Sequence, residues 1–221
     1  MLASEKKLHG TAILAFFQTD GLGQYGRRWH SEKGLHLAMS IILQPEDMKS
    51  DTLSALSMKI PLAIVFTLQS IIPEIKLSIK WPNDIYAESK KLAGILIENS
   101  LSASRVQHSI IGIGMNVNET YFPESIPNAV SLSMVTNKTY NIESLAEKIH
   151  EGVMEIIKNA PSNWKDVYHQ YMYGFGNQQW FERSEEKFSG TVMGVDDNGR
   201  IIIEEDGTQG SYYSHEIKWL I

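Results

Sequence analysis

The sequence has no cysteine. That excludes a thiolate nucleophile, a thiolate metal site and any disulfide, and it fits a cytoplasmic location. No apolar run is read as reaching the roughly 20 residues that span a bilayer, so no membrane association is expected. The opening stretch MLASEKKLHGTAILAFF lacks the basic start, long apolar run and small-residue cleavage site of a secretory signal. The net charge is −6 and no block of like charge exceeds three residues. Broad nucleic-acid binding needs a basic face, so DNA is not an expected partner. The seven histidines are scattered without metal-ligand spacing. Internal repeats and low-complexity segments are also missing.

What remains is an ordinary globular composition, 43% hydrophobic and 21% charged over 221 residues. That suits one large domain, or a large one with a small appendix. TAILAFFQ (11–18) reads as a buried strand and LHLAMSIILQ (35–44) as a second, closed by Pro45. DTLSALSMKIPLAIVFTLQSII has apolar residues at helical spacing and reads as a core helix. Asp51 or Thr52 would cap it, and Pro61 would bend it. KLSIKW and KLAGILIEN read as strands joined by PNDIYAESK, with SIIGIGMNVN as a third. Residues 120–138 read as an irregular connection. NIESLAEKIHEGVMEIIKN is an amphipathic helix capped by Asn141. SNWKDVYHQYMYG reads as another, stopped at Gly174. After Gly176 the texture becomes alternating and turn-rich, with Asp197-Asn198-Gly199 and Asp206-Gly207 as hairpin signals. The expectation is a larger domain over 1–176 and a small β-barrel over 177–221.

Four segments carry candidate chemistry. GLGQYGRRWHSEKG (21–34) packs four glycines, two arginines and a tryptophan into a stretch unsuited to a core. Glycines let a ligand approach the main chain, and successive N–H groups form an anion-binding hollow. Arg27 and Arg28 add forked donors. The plain alternative is a solvated hairpin loop. GLGQYG matches a dinucleotide-binding glycine pattern, but RRWHSEKG opens no helix, so that reading fails its context. In KWPNDIY (80–86), Asp84 would ligate Mg²⁺ through oxygen, with Lys80 and Asn83 on phosphate; ordinary strand-end turn chemistry is the alternative. Lys91, at the start of KLAGILIEN, would pin developing negative charge, unless it is simply solvated. Gly112 and Gly114 interrupt a strand, which marks close approach by a ligand or another backbone. Asn116 offers donor and acceptor to an adenine edge, or plain turn chemistry.

Together, GLGQYGRRW, KWPNDIY, KLAGIL and GIGMN resemble the catalytic domain of biotin protein ligases, the biotin–[acetyl-CoA-carboxylase] ligases. The resemblance is strong over roughly 11–118. It implies an α+β fold: a mixed, largely antiparallel sheet packed with helices, of the class II synthetase and biotin ligase kind, followed by the small C-terminal barrel. It implies ATP-dependent activation of biotin to biotinyl-5′-adenylate, then transfer to a lysine of the biotin-carrier domain of a biotin-dependent carboxylase. Carried over by position, Gln18 would bond biotin, and Gly21, Leu22, Gly23 and Gln24 would wrap its tail. Arg27 would contact ATP phosphates and Trp29 would pack on the ligand. Lys80, Asn83 and Asp84 would handle phosphate and Mg²⁺. Lys91 would serve both biotin and catalysis, Arg27 would assist, and Asn116 would bind adenine.

The sequence departs from that pattern in two places. The family's arginines at the second and fourth loop positions are Leu22 and Gln24 here. The family's Ser-Thr-Asn segment would fall upstream of Met1, and no helix-turn-helix precedes the catalytic part, so no repressor role is expected. A lipoate-type ligase, or a non-catalytic binder of biotin or its carrier, are the competing readings. A homodimer is a further expectation.

Overall fold

The computed structural model describes residues 8–44, 53–102 and 105–220. Pro45, Asp51 and Thr52, named above as a strand end and helix cap, lie outside them. The chain runs β1 (Thr11–Ala15), β2 (Gly21–Leu22), β3 (Arg28–Trp29), β4 (His36–Leu43), α1 (Leu53–Ile71), β5 (Leu77–Lys80), β6 (Asp84–Ala87), β7 (Lys90–Ser102) and β8 (Arg105–Asn116). It continues α2 (Leu132–Thr136), α3 (Ile142–Asn159), α4 (Trp164–Tyr171), β9 (Gln178–Arg183), β10 (Glu186–Val195), β11 (Ile201–Glu205), β12 (Thr208–Tyr212) and β13 (Lys218–Leu220).

The main sheet has the order β1-β4-β8-β7-β6-β5. Every named strand pair in it is antiparallel; the parallel contacts are isolated bridges, Ile79 to Met172 and Lys91 to Ala129. Strand side chains alternate between faces, and the central strands show it. Leu37, Met39, Ile41 and Leu43 of β4, with Ile111, Ile113 and Met115 of β8, belong to the core beneath α1 and α3. The opposite face carries Ala38, Ser40, Gly94, Gly112 and Gly114, so it is shallow there and leaves room for a ligand. The two periodicities, one apolar and one small, are what position the site.

Several expectations change in three dimensions. TAILAFFQ is not a buried strand. Among the described residues β1 is the edge of the sheet, paired with β4 alone, and Ile13, Phe16 and Phe17 are 43%, 61% and 51% exposed. PNDIYAESK contains a strand, β6, which forms a hairpin with β5 in the register Lys80 to Asp84. α1 runs through Pro61 as one helix. At 19 residues it is long and apolar enough to cross a membrane by length and composition, contrary to the sequence reading. Leu56, Ile60, Ile64 and Leu68 are nevertheless core residues packed on the sheet side. The connection after β8 contains the short α2, capped by the Ser131 hydroxyl, which accepts from the Met134 N–H at 3.1 Å. α3 starts where expected, with Asn141 accepting from the Ser144 N–H at 2.8 Å.

The C-terminal strands form a sheet in the order β12-β11-β10-β9-β13. Its outer strands β12 and β13 do not pair with each other, so it is an open sheet and not the closed barrel expected. β13 has three residues and is paired with β9. Both hairpin signals are used, with Gly199 and Gly207 each at φ +77°. This sheet shares one hydrophobic core with the rest of the chain through Phe181, Val192 and Ile203. Trp81 Nε1 donates to the Gly199 carbonyl at 2.9 Å and Ser54 Oγ to the Asp197 carbonyl at 2.7 Å.

Candidate active site

The glycine-rich segment folds into a small hairpin. Gly21–Leu22 pairs with Arg28–Trp29, and Gln24–Gly26 make one tight 3-10 turn in which Tyr25 and Gly26 take φ 59° and +73°. Gly21 is closely hemmed in. A Cβ there would stand 3.0 Å from both Gln18 Oε1 and the Trp29 carbonyl oxygen. β3 ends by laying Trp29 across the small-residue face, where a Cβ on Gly114 would collide with the indole. The interruption of β8 by glycine therefore has a packing cause in the ligand-free fold.

Lys91 sits at the start of β7. A bulge between Ile85 and Tyr86 shifts the register of β6 against β7, and bulges re-aim side chains. Its ammonium lies 2.7 Å from Asp84 Oδ1, an ion pair between partly buried groups, and 5.6 Å from the Trp29 ring centre. The main chain of Lys91 is clamped as well. Its N–H donates to the Asn128 carbonyl at 2.7 Å and its carbonyl accepts from the Val130 N–H at 3.0 Å. The sequence reading did not foresee that Asp84 and Lys91 are partners.

Lys80 faces Asp84 across the β5–β6 turn. Its ammonium is 5.8 Å from the Tyr86 ring centre and 5.7 Å from that of Trp219. Burial pulls its pKa below the usual lysine value; Asp84 opposes this, while Lys91 and Arg27 add to it. Burial raises the Tyr86 hydroxyl, with Asp84 and Tyr173 contributing. Asn83 is partly committed to the fold, since its side-chain nitrogen donates to the Ile95 carbonyl at 2.6 Å.

Three cavities meet here. The first, about 350 Å³, lies over the small-residue face and touches Gln18, Leu22, Gln24, Arg27, Trp29 and Lys91. The second, about 230 Å³, is more apolar and is bounded by Tyr86, Phe122, Ile126 and Pro127. Arg28, Trp29 and Lys91 belong to both. The third, about 580 Å³, runs towards the C-terminal sheet and holds Arg27, Lys80, Asn83, Asp84 and Lys218. Tyr25 Oη and Ser214 Oγ, 2.6 Å apart, tie the hairpin to that sheet at its rim.

The sequence-derived residues are thus gathered around one junction, with one exception in kind. Asn116 is 4% exposed. Its amide nitrogen donates to the Val130 carbonyl at 3.1 Å and lies 3.4 Å from the Lys91 carbonyl, and its Oδ1 faces His36 Nδ1 at 3.1 Å. Asn116 lines the second cavity, but both its amide hydrogens are used inside the protein, so in this ligand-free fold the side chain acts as a strut. Sequence reading missed His36, Glu119 and the wall from Phe122 to Ala129. The apolar Phe122, Ile126 and Pro127 inside an otherwise polar connection were the available signal.

A divided cavity whose halves meet at a lysine suits a ligase that joins a carboxylic acid to a nucleotide. The chain belongs to the Biotin/lipoate A/B protein ligase family, whose model matches residues 2–116. It is 30% identical to the "Bifunctional ligase/repressor BirA" of Bacillus subtilis, over 98% of this chain and 68% of that one. It is 27% identical to the "Biotin–[acetyl-CoA-carboxylase] ligase" of Mycobacterium tuberculosis, over 93% and 77%. Among solved structures it matches the biotin protein ligase of Aquifex aeolicus in complex with biotin and ATP. There the TM-score is 0.78 and the identity 29%, covering 99% of this chain and 92% of that one.

Proposed function

We propose that the chain is an ATP-dependent biotin protein ligase. Biotin's carboxylate attacks the α-phosphorus of ATP, giving biotinyl-5′-adenylate and pyrophosphate. The ε-amine of a carrier-domain lysine then attacks the mixed anhydride and releases AMP. The observation that carries this reading is the shared wall of Arg28, Trp29 and Lys91 between the first two cavities. Biotin occupies the first, with Gln18 and the Gly21–Gln24 backbone around it. The base occupies the second, more apolar one. The carboxylate and α-phosphate then meet at Lys91, whose charge offsets the negative charge that develops there.

Arg27 and Lys80, with Asn83, face the departing phosphates in the third cavity. Before substrate arrives, Asp84 holds the Lys91 ammonium in place, which is positioning in advance of the reaction. Among the described residues there is no group of three metal-ligating side chains. The donor set fits a Mg²⁺ ion carried by nucleotide phosphates and touched by the single carboxylate of Asp84. Such an ion would offset phosphate charge.

The partner is the biotin-carrier domain of a carboxylase, the setting is cytoplasmic, and the exposed β1 edge suits a homodimer. The proposed division at 176/177 sets the open C-terminal sheet beside the ligand-holding part, with Lys218 and Trp219 lining the third cavity. A lipoate-type ligase would share the lysine, and a non-catalytic binder would share the pocket. Biotin-dependent ATP–pyrophosphate exchange, run against lipoate, decides between them. Exchange with biotin and label transfer to a purified carrier domain are expected; exchange with lipoate alone, or binding without exchange, overturns the proposal.

A further inference from the structure

Outside the residues just assigned, the described part of the chain buries one unusual polar cluster. His36, at the start of β4, has a side chain with no exposure, and that of Glu119 is only 10% exposed. His36 Nε2 and Glu119 Oε2 stand 3.4 Å apart. Among the described residues neither atom has another hydrogen-bond partner. The second oxygen of Glu119 accepts from the N–H groups of Thr120 and Tyr121 at 3.1 and 3.4 Å. The Phe122 ring meets the imidazole edge-on, with centres 6.4 Å apart.

The bonding of Asn116 fixes the roles in this cluster. Its amide end is turned to two carbonyls, Val130 and Lys91, so that end must be nitrogen and the other end, facing His36 Nδ1, must be oxygen. Nδ1 therefore carries hydrogen and donates. In a neutral ring that leaves Nε2 with a lone pair aimed at the Glu119 carboxyl, so a hydrogen is needed between them. Burial lowers the histidine's pKa, while Asn116 and Glu119 raise it and the nearby His30 lowers it. The unit that holds the hydrogen is the pair.

From there the bonds run to the site. Asn116 bonds the carbonyls of Lys91 and Val130, and Val130 N–H and Lys91 carbonyl bond each other. Glu119 meanwhile anchors the start of the segment whose Phe122, Ile126 and Pro127 wall the second cavity. We infer that Glu119 and His36 are positioning residues that hold Asn116, and through it the backbone of Lys91 and the wall of the second cavity, in the arrangement that receives the nucleotide base.

This rests on the ligase reading for its kinetic consequence only; the mechanical part is measurable without ligand. Glu119→Ala, in the full chain, is expected to speed amide hydrogen exchange at Val130 and Lys91 by about tenfold or more. It should raise the KM for ATP in pyrophosphate exchange by about tenfold, with kcat and the KM for biotin within about threefold. Glu119→Gln should restore both readouts to near the wild-type values. Its amide donates to Nε2 while its oxygen still accepts from Thr120. Should Glu119→Ala fail to fold, Glu119→Asp, one methylene short of Nε2, is expected to show the same pattern. Protection at Val130 unchanged by the loss of the carboxylate overturns the inference. So does Glu119→Gln that behaves no better than Glu119→Ala, which would mean a packing role alone. Absent exchange activity in the wild-type protein counts against the ligase reading, while the hydrogen-exchange comparison still decides the positioning role.

Discussion

At the scale of single residues, Lys91 is the group on which the chemistry turns. Lys91→Met is expected to lower biotin-dependent pyrophosphate exchange by about 10²–10³-fold, the usual loss when one stabiliser of developing charge is removed. It also strands the Asp84 carboxylate, whose ion pair is gone. Adding Asp84→Asn should recover thermal stability, which measures how much of the Lys91→Met effect is a folding cost. Leu22 is 66% exposed at the edge of the first cavity, and Gln24 lies between the first and third. Both sit where the family places arginine. The double change Leu22→Arg with Gln24→Arg is expected to lengthen the half-life of bound biotinyl-adenylate about tenfold or more, since each charged contact is worth about 1–3 kcal/mol. An unchanged half-life in a single-turnover release assay counts against it. The identity of these residues was legible in the motifs. Their partners were not, because Asp84 meets Lys91 only through a bulge in the β6–β7 register.

At the scale of elements, α1 and α3 approach closely enough that Gly152 has Thr67 Oγ1 where a Cβ would go. That hydroxyl is held on the Ala63 carbonyl at 2.9 Å, so it does not turn away freely. Gly152→Ala improves helix propensity by about 1 kcal/mol, yet overpacking costs about 1–3 kcal/mol. The net expectation is a lower urea midpoint; a raised midpoint would show that the helices slide apart without strain. The helices themselves were plain in the sequence, because a 3.6-residue period and a cap such as Asn141 are local signals. Edge and centre were not. TAILAFFQ and LHLAMSIILQ are equally apolar as strings, and their difference in burial comes from strand order, with β4 flanked on both sides and β1 on one.

At the scale of the whole molecule, the C-terminal sheet is fastened to the rest by polar contacts as well as by the shared core. His169 of α4 stacks on Phe175 with ring centres 5.3 Å apart, and its Nε2 accepts from the Val195 N–H at 3.1 Å. Burial, then Lys165, lowers its pKa below the ordinary histidine value. For a base whose folded pKa is depressed, the stabilisation is present above the unfolded pKa of about 6.5. It is lost as pH falls through the lower folded value. Melting temperature is therefore expected to drop as pH falls from about 7 to about 5. His169→Gln, which still accepts from Val195 without titrating, should flatten part of that drop. Melting curves of the two proteins that fall in parallel would remove His169 from the account.

The sequence by itself determined which chemistry is present. Glycine loop, KWPND, lysine strand and GIGMN are contiguous strings, so their residue types and order survive without any fold. It also determined the elements whose periodicity is local. Only the tertiary structure decided that Asn116 is a strut, that Lys91 is paired, that the C-terminal sheet stays open, and that Phe122 to Pro127 wall a cavity. Each of these depends on contacts between residues far apart in the chain, where strand order, register and burial choose the partner and the string of letters does not.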